Sequence, residues 1–105
     1  MEAAEVTGYG DSTVLEAVER DTPEPDEGEV RIEVEAAGIN FADIMQRRGA
    51  YPGGPEPPYY PGMEVAGTVD SAEGIDAYSE GDRVVAMVDS GGYAEDPVAH
   101  ARTLP

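Results

Sequence analysis

Residues 36–67 read AAGINFADIMQRRGAYPGGPEPPYYPGMEVAG and contain the strongest local signals in the chain. Asn40 is a favourable helix N-cap, and Asp43 follows three residues later, as in a capping box. Gly49 suits the position just past a helix C-terminus. The sequence therefore predicts a short helix over residues 40–48. The side chains at helical spacing on one face of it are those of Phe41, Ile44, Met45 and Arg48.

Strand patterns flank this stretch on both sides. The clearest is an alternation of apolar and charged residues, which is typical of a strand with one buried face and one solvent-exposed face. Its apolar members are Val30, Ile32, Val34 and Ala36. Further strands are predicted over residues 1–9, 14–20, 63–71 and 83–88, with an extended piece from residue 93. Thirteen glycines and nine prolines supply turns. We expect a mainly β fold, a partly open barrel with one short helix.

Length and composition limit the class of protein. The 105 residues suit one domain, and the absence of cysteine excludes disulfides and thiolate metal sites. No apolar run approaches the roughly 20 residues of a membrane span, and the N-terminus does not resemble a signal peptide. We therefore expect a cytoplasmic protein without a membrane partner.

Charge is the second strong signal. The net charge is −17, which disfavours nucleic acid as a partner because phosphates are repelled. Intrinsic disorder is disfavoured because the apolar residues alternate as in strands. All six basic residues are arginine. An acidic, lysine-free surface favours a halophilic protein, since molar salt screens self-repulsion; an ordinary acidic domain is the alternative.

Short motifs along nearly the whole chain resemble the GroES-like N-terminal domain of the medium-chain dehydrogenase/reductase superfamily, in its zinc-free, zeta-crystallin-like quinone oxidoreductase branch. Each motif alone is weak, but their order and spacing match the family. They are GEV at 28–30, AGINFAD at 37–43, RGAY at 48–51, PGMEVAG at 61–67, GDRV at 81–84 and GGYAE at 91–95.

The resemblance implies an activity and a cofactor. Zinc alcohol dehydrogenases of the superfamily have a cysteine at the position of Asn40 and a histidine at that of Met63, so this branch works without zinc. The implied reaction is hydride transfer from NADPH to a quinone or another conjugated carbonyl. The substrate would thus be a small quinone or enone.

The cofactor-binding half of such an enzyme is not readable in this sequence. Relatives continue into a Rossmann domain, whose G-x-G-x-x-G turn holds the pyrophosphate. Gly8-Tyr9-Gly10 begins like that turn, but the third glycine is missing. We expect residues 1–105 to form the GroES-like, substrate-side domain, inactive alone, with the Rossmann domain supplied in cis or in trans.

Three residues are the candidate site residues, all implied by the resemblance. Asn40 matches the family residue at the cleft floor that contacts the nicotinamide ribose or substrate region; the alternative is a helix cap alone. Tyr51 matches a tyrosine that points into the cleft and could donate its O–H to the acceptor oxygen; the alternative is packing on prolines. Arg48, one of only six basic residues, could meet a cofactor phosphate; the alternative, pairing with a carboxylate at the helix end, is the favoured interpretation.

Other polar residues receive structural interpretations. Met63 is expected in the core, and Glu64 is expected to bond to backbone or to an arginine. Tyr59 and Tyr60 suit packing in the proline-rich loop. His100 is the only histidine and alone forms neither a triad nor a metal site.

Two further classes of function stay open. One is an enoyl-reductase domain that acts on carrier-bound acyl chains. The other is a non-enzymatic GroES-like interaction module, which a long exposed apolar edge would favour. Reduction of acyl thioesters but not quinones would identify the first.

The charge generates a prediction about salt. Because a molar salt solution shortens the Debye length to about 3 Å, KCl should screen repulsion among the carboxylates and raise the free energy of unfolding. Thermal melts followed by circular dichroism in increasing KCl, up to molar concentration, should show a rising midpoint. Loss of structure on adding salt would contradict the halophilic interpretation.

Overall fold

Antiparallel strands and one α-helix make up the described part of the chain. The computed structural model describes residues 1–72 and 74–100. In chain order the elements are β1 (Glu2–Val6), a 3₁₀ turn (Ser12–Val14), β2 (Leu15–Glu19), β3 (Glu29–Ala37), α1 (Phe41–Arg48), β4 (Glu64–Ser71), β5 (Arg83–Met87) and β6 (Val98–His100).

The strands form two sheets. β1 and β2 make an antiparallel hairpin, and the larger sheet has the order β5-β4-β3-β6. The larger sheet curls into an open half-barrel, which confirms the predicted mainly β fold with one helix. Two features were missed. The 3₁₀ turn at Ser12–Val14 lies where a plain turn was expected, and the last strand forms at Val98–His100, whereas Ala94 makes only an isolated bridge to Ala3.

Residues 93–97, which we name the seam, join the two sheets. The Ala4 N–H donates to the Tyr93 carbonyl oxygen at 2.8 Å, on the hairpin side. The Val34 N–H donates to the Glu95 carbonyl oxygen at 2.9 Å, on the side of the larger sheet. The seam therefore satisfies backbone groups of both sheets at once.

The main hydrophobic core lies on one face of the larger sheet. Every strand of that sheet contributes to it, mostly with small or β-branched side chains that suit a pleated surface. Its buried members are Val30, Ile32, Val65, Val69, Ala86, Val88 and Ala99.

A β-bulge changes the alternation predicted for β3. Val34 pairs with Gly67 and Ala36 with Ala66, which leaves Glu35 as an extra residue. Side-chain direction is shifted by one residue beyond that point. Ala36 is therefore exposed, not buried as its alternation predicted, and the next alanine, at position 37, packs on the core.

The proline-rich loop at 50–62 is held at several places. Val6 and Tyr59 exchange backbone hydrogen bonds of 2.8 and 3.2 Å. The Arg20 guanidinium stacks 3.9 Å from the centroid of the Tyr60 ring, a cation–π contact. Tyr59 and Tyr60 are both half-buried, in agreement with the packing role predicted for them.

α1 has the predicted bounds. It begins after Asn40 and ends at Arg48, and Gly49 closes it in the left-handed conformation with a φ of 76°. Phe41, at the start of α1, is 73% exposed. No helix among residues 1–72 and 74–100 is long and apolar enough to cross a membrane.

Gly67 provides a test of the sheet. It lies against the Glu33 backbone, and an added Cβ would collide with the Glu33 carbonyl oxygen. Gly67→Ala should destabilise the fold by at least about 2 kcal/mol, measured by urea unfolding, because two backbones would have to separate. Gly8→Ala is the control, since nothing lies within 4 Å of its added Cβ, and it should stay within about 0.5 kcal/mol. Equal effects of the two changes would contradict this packing.

Candidate active site

The N-terminus of α1 is organised by a buried carboxylate. Asp43 Oδ2 accepts a hydrogen bond from the Asn40 backbone N–H at 2.9 Å. Asn40 and Asp43 have the reciprocal placement of a capping box, but only the half from Asp43 closes with good geometry. The Asn40 amide makes no cap hydrogen bond, and the Asp43 N–H donates to the Asn40 backbone oxygen at 3.0 Å. The half-buried Asn40 side chain therefore keeps its amide N–H groups for other partners.

Tyr93 of the seam completes this arrangement. Its hydroxyl lies 2.7 Å from Asp43 Oδ2 and 3.2 Å from the Gly38 carbonyl oxygen. Because a tyrosine hydroxyl has one proton, the shorter contact to the carboxylate is the stronger hydrogen bond. The sequence predicted Asp43 in the helix cap, but it did not predict the hydrogen bond from Tyr93 to Asp43. These two residues are 50 positions apart, and the only sequence feature that pointed to Tyr93 was the GGYAE motif.

The electrostatics of Tyr93 keep it a donor. Burial raises the pKa of Tyr93 well above its ordinary value, and the hydrogen bond to Asp43 raises it further. The nearby Glu64 charge acts on this pKa in the same direction. Tyr93 therefore stays protonated at neutral pH and holds the seam to α1.

Exposed apolar residues flank Asn40 in the sequence. Ile39, which precedes it, is 79% exposed, and Phe41, which follows it, is 73% exposed. A cavity of about 210 Å³ lies beside this end of α1, with Ile39, Asp43 and Ile44 in its wall. A half-buried amide next to exposed apolar residues suits a planar ring that carries a hydrogen-bond acceptor.

Tyr51 and Arg48 lie at the other end of the helix. Tyr51 is 44% exposed, in a turn closed by the Gly54 N–H to the Tyr51 carbonyl oxygen at 3.0 Å. The chain rises about 12 Å along the helix axis from Asn40 to Arg48, and Tyr51 follows three residues after Arg48. Within the described residues no hydrogen bond joins Asn40 to Tyr51 or Arg48.

Arg48 is exposed in the last turn of α1, where a cation complements the helix dipole. The alternative interpretation was an ion pair at the helix end. No carboxylate of residues 1–72 and 74–100 lies within ion-pair distance of it. Arg47 instead donates from Nε to the Gly10 carbonyl oxygen at 3.2 Å.

Met63 and Glu64 have structural contacts. The Met63 carbonyl oxygen accepts from the Val88 N–H at 2.8 Å, and its side chain is half-buried. The Glu64 side chain packs directly over Gly38, where any Cβ would collide with it. In the part of the chain that the structure describes, no group of three or more His, Asp or Glu side chains is placed to hold a metal ion.

The Tyr93–Asp43 bond generates a prediction. Tyr93→Phe should lower the free energy of unfolding by about 1–2 kcal/mol at pH 7, because a buried carboxylate loses a donor. The raised pKa of Tyr93 also means that wild-type stability falls as pH rises above about 10, where tyrosine ionises in the unfolded chain.

The Tyr93→Phe variant should not show this loss of stability at alkaline pH. Urea unfolding at neutral pH and just above the ordinary tyrosine pKa of about 10 measures both effects. Tyr9→Phe is the control, since the exposed Tyr9 hydroxyl makes only a long 3.4 Å contact to the Pro55 carbonyl oxygen. If Tyr9→Phe and Tyr93→Phe change the free energy of unfolding equally at both pH values, the hydrogen bond from Tyr93 to Asp43 does not stabilise the fold.

Known proteins resemble this chain over almost all of its length. It is 38% identical to the human synaptic vesicle membrane protein VAT-1 homolog-like, across 100% of this chain and 26% of that protein. It is 39% identical to the quinone oxidoreductase of Lama guanicoe, across 99% of this chain and 32% of that protein. The chain thus spans about a quarter to a third of the length of these relatives.

Solved structures resemble it equally well. The human VAT-1 homolog-like protein superposes with a TM-score of 0.95 at 34% identity, across 100% of this chain and 34% of that one. The Escherichia coli quinone oxidoreductase complexed with NADPH gives 0.92 at 34% identity, across 100% and 32%. The Thermus thermophilus quinone oxidoreductase, also solved as its NADPH complex, gives 0.83 at 41% identity, across 99% and 31%.

The family model for the alcohol dehydrogenase GroES-like domain matches residues 26–104, which include β3, α1, β4, β5 and β6. This range holds the buried Asp43, its partner Tyr93 and all three candidate site residues. The chain belongs to the alcohol dehydrogenase GroES-like domain family, in the zinc-free quinone oxidoreductase branch of the medium-chain dehydrogenases/reductases.

Proposed function

We propose that residues 1–105 form the substrate-side domain of an NADPH-dependent oxidoreductase that reduces a quinone or another conjugated carbonyl without zinc. The observation that carries the proposal is the superposition of the whole chain on the E. coli quinone oxidoreductase solved with NADPH, at a TM-score of 0.92. The GroES-like family and the half-buried Asn40 amide, which makes no cap hydrogen bond, support it.

The residues present fit one end of the cofactor. An uncapped amide at Asn40, with exposed apolar neighbours, suits a nicotinamide ring and its carboxamide or ribose. Arg48 is exposed and without an ion pair among the described residues, so it is the basic group proposed to meet a cofactor phosphate. When bound, NADPH supplies the hydride.

Asn40 and Tyr51 are the proposed electrophilic groups. When a conjugated carbonyl accepts a hydride, its oxygen gains negative charge and then a proton. A side-chain N–H from Asn40 or the O–H from Tyr51 would stabilise that charge, because a hydrogen bond aimed at a developing oxyanion is stronger in the transition state than in the ground state. Asp43 holds Asn40 through its backbone, which fixes the start of the amide side chain.

The helix places these two groups at its opposite ends. Asn40 precedes α1 and Tyr51 follows it, so each is proposed to contact a different part of the cofactor–acceptor pair. We propose that Asn40 contacts the reacting carbonyl or nicotinamide, and that Tyr51 closes over the acceptor from the outer side.

The proposal also covers the salt concentration and the cellular compartment in which the protein works. The acidic surface suits a halophilic cytoplasm, where potassium salts screen the excess carboxylates.

The experiment measures NADPH oxidation with a quinone acceptor in molar KCl. The 105-residue chain is compared with the chain extended through the downstream coding sequence. The extended protein should be active, the short one inactive, and the activity should resist a zinc chelator. In the extended protein, Asn40→Ala should lower kcat/KM about 100-fold, the effect of losing one oxyanion donor, and Tyr51→Phe about tenfold.

Tyr9→Phe is the matched control, since its hydroxyl lies on the loop exterior, and it should leave kcat/KM within about twofold. Inactivity of both lengths, with both folded, would contradict the proposal. Reduction of acyl thioesters but not quinones would assign the chain to enoyl reductases instead.

A non-enzymatic interaction module is the second candidate because of one observation. Within residues 1–72 and 74–100, β5 pairs only with β4, and on this edge strand Val85 is 54% and Met87 55% exposed. These side chains border an apolar groove of about 440 Å³ that Ala36 and Ala66 also line. Exposed apolar area on a sheet edge is typical of a surface that binds another polypeptide.

A further inference from the structure

The short connection between β3 and α1 is held by its backbone at both ends. It consists of Gly38, Ile39 and Asn40. The Gly38 N–H donates to the Glu64 carbonyl oxygen at 3.1 Å. The Asn40 N–H donates to Asp43 Oδ2 at 2.9 Å, and the Asn40 carbonyl oxygen accepts from the Asp43 N–H at 3.0 Å. Both backbone groups of Asn40 are therefore bound to Asp43, and the direction of the Asn40 side chain depends on the position of Asp43.

The Tyr93 hydroxyl contacts both ends of this connection. It donates to the Asp43 oxygen that also accepts from Asn40, and it lies 3.2 Å from the Gly38 carbonyl oxygen. The hydroxyl thus lies inside the turn that leads from β3 into α1.

Tyr93 is itself fixed by two other parts of the chain. Its N–H donates to the Pro61 carbonyl oxygen at 3.2 Å, at the end of the proline-rich loop. Its carbonyl oxygen accepts from the Ala4 N–H of β1 at 2.8 Å. The ring is half-buried. Because its backbone is held on both sides, Tyr93 can act as a fixed reference for the turn at Asn40.

Asp43 depends strongly on this hydroxyl. It is only 7% exposed, and both of its side-chain hydrogen bonds are made by Oδ2. Within residues 1–72 and 74–100, its other oxygen, Oδ1, is buried and accepts no hydrogen bond. Without the Tyr93 hydroxyl, a buried carboxylate would keep one donor, and it would gain free energy by moving toward another. Any such movement displaces the acceptor of the Asn40 N–H.

We propose that Tyr93 is a positioning residue for the reduction, and that it acts through Asp43 on the Asn40 amide. This inference rests on the proposed function, in which the Asn40 amide contacts the reacting carbonyl or the nicotinamide. A hydrogen-bond donor stabilises a developing charge only when it is aimed at that charge. A misplacement of about 1 Å can lower a rate about 100-fold, and the loss of one anchor among several should have a smaller effect, about tenfold.

The experiment combines changes at Tyr93 and Asn40 in the extended protein. Tyr93→Phe should lower kcat about tenfold and leave KM within about twofold, because the positioned amide acts in the transition state. In a protein that already carries Asn40→Ala, Tyr93→Phe should change kcat by less than about twofold, since the group that it positions is absent. A wild-type kcat in Tyr93→Phe, or two losses that multiply in the double variant, would overturn the proposal.

Ile32→Val is the control for a loss of stability. Ile32 is fully buried in the main core, and this change removes one methylene, so it should destabilise the fold about as much as Tyr93→Phe. Its kcat should stay within about twofold of the wild-type value. If Ile32→Val lowers kcat as much as Tyr93→Phe does, the effect comes from destabilisation and the positioning role is wrong.

A second measurement does not depend on catalysis. In the 105-residue chain, hydrogen exchange of the Asn40 backbone amide, followed by NMR, reports its bond to Asp43 Oδ2. Its protection should fall about tenfold in Tyr93→Phe, roughly the effect of losing one hydrogen bond, and should stay near the wild-type value in Ile32→Val.

The two measurements separate this inference from the proposed function. If the extended wild-type protein reduces no quinone but the protection of the Asn40 amide falls in Tyr93→Phe, the proposed function is wrong and the link from Tyr93 to Asn40 is supported. Unchanged protection in Tyr93→Phe would overturn that link, whatever the activity.

Discussion

The buried carboxylate of Asp43 is the interaction on which the candidate site depends. A charged group with 7% exposure is stable only when it is hydrogen-bonded, and Asp43 receives donors from two directions. The Asn40 N–H comes from the start of its own helix and the Tyr93 O–H from the seam. This one side chain therefore caps α1, joins the helix to the segment between the two sheets, and leaves the Asn40 amide uncommitted.

Local chemistry made much of this fold predictable. The bounds of α1 follow from Asn40, Asp43 and Gly49, which act within one or two turns of chain, and β3 and β4 follow from their alternation. Ala36 was misplaced because the Glu35 bulge depends on the partner strand and has no local signature. β6 was missed because three residues of strand are specified by the edge of β3 that they cover. In the candidate site, the sequence predicted the helix cap, whereas the contact between Tyr93 and Asp43 depends on the tertiary fold and could not be predicted.

The site residues were inferred largely from the family resemblance, which gave no information about where they lie relative to one another. The structure supplies that information. Asn40 precedes α1 and Tyr51 follows it, and the chain rises about 12 Å along the helix axis from Asn40 to Arg48. A ligand that contacts both residues would lie between α1 and a second surface. The exposed Ile39 and Phe41 mark the end at which such a surface would bury apolar area. The relatives, three to four times longer, have the additional chain to supply one.

The seam connects this site to the charge of the molecule. Few carboxylates of the described chain are neutralised, since its ion pairs involve only Arg31 and the N-terminal amine. Repulsion therefore acts wherever acidic side chains meet, and the seam, which carries Glu95 and Asp96, is one such place. Tyr93 of the same segment holds Asp43, the carboxylate that accepts from the Asn40 backbone N–H. Salt that screens the carboxylates would therefore act on the segment that helps to position Asn40, which links the stability of the candidate site to the acidity of the whole chain.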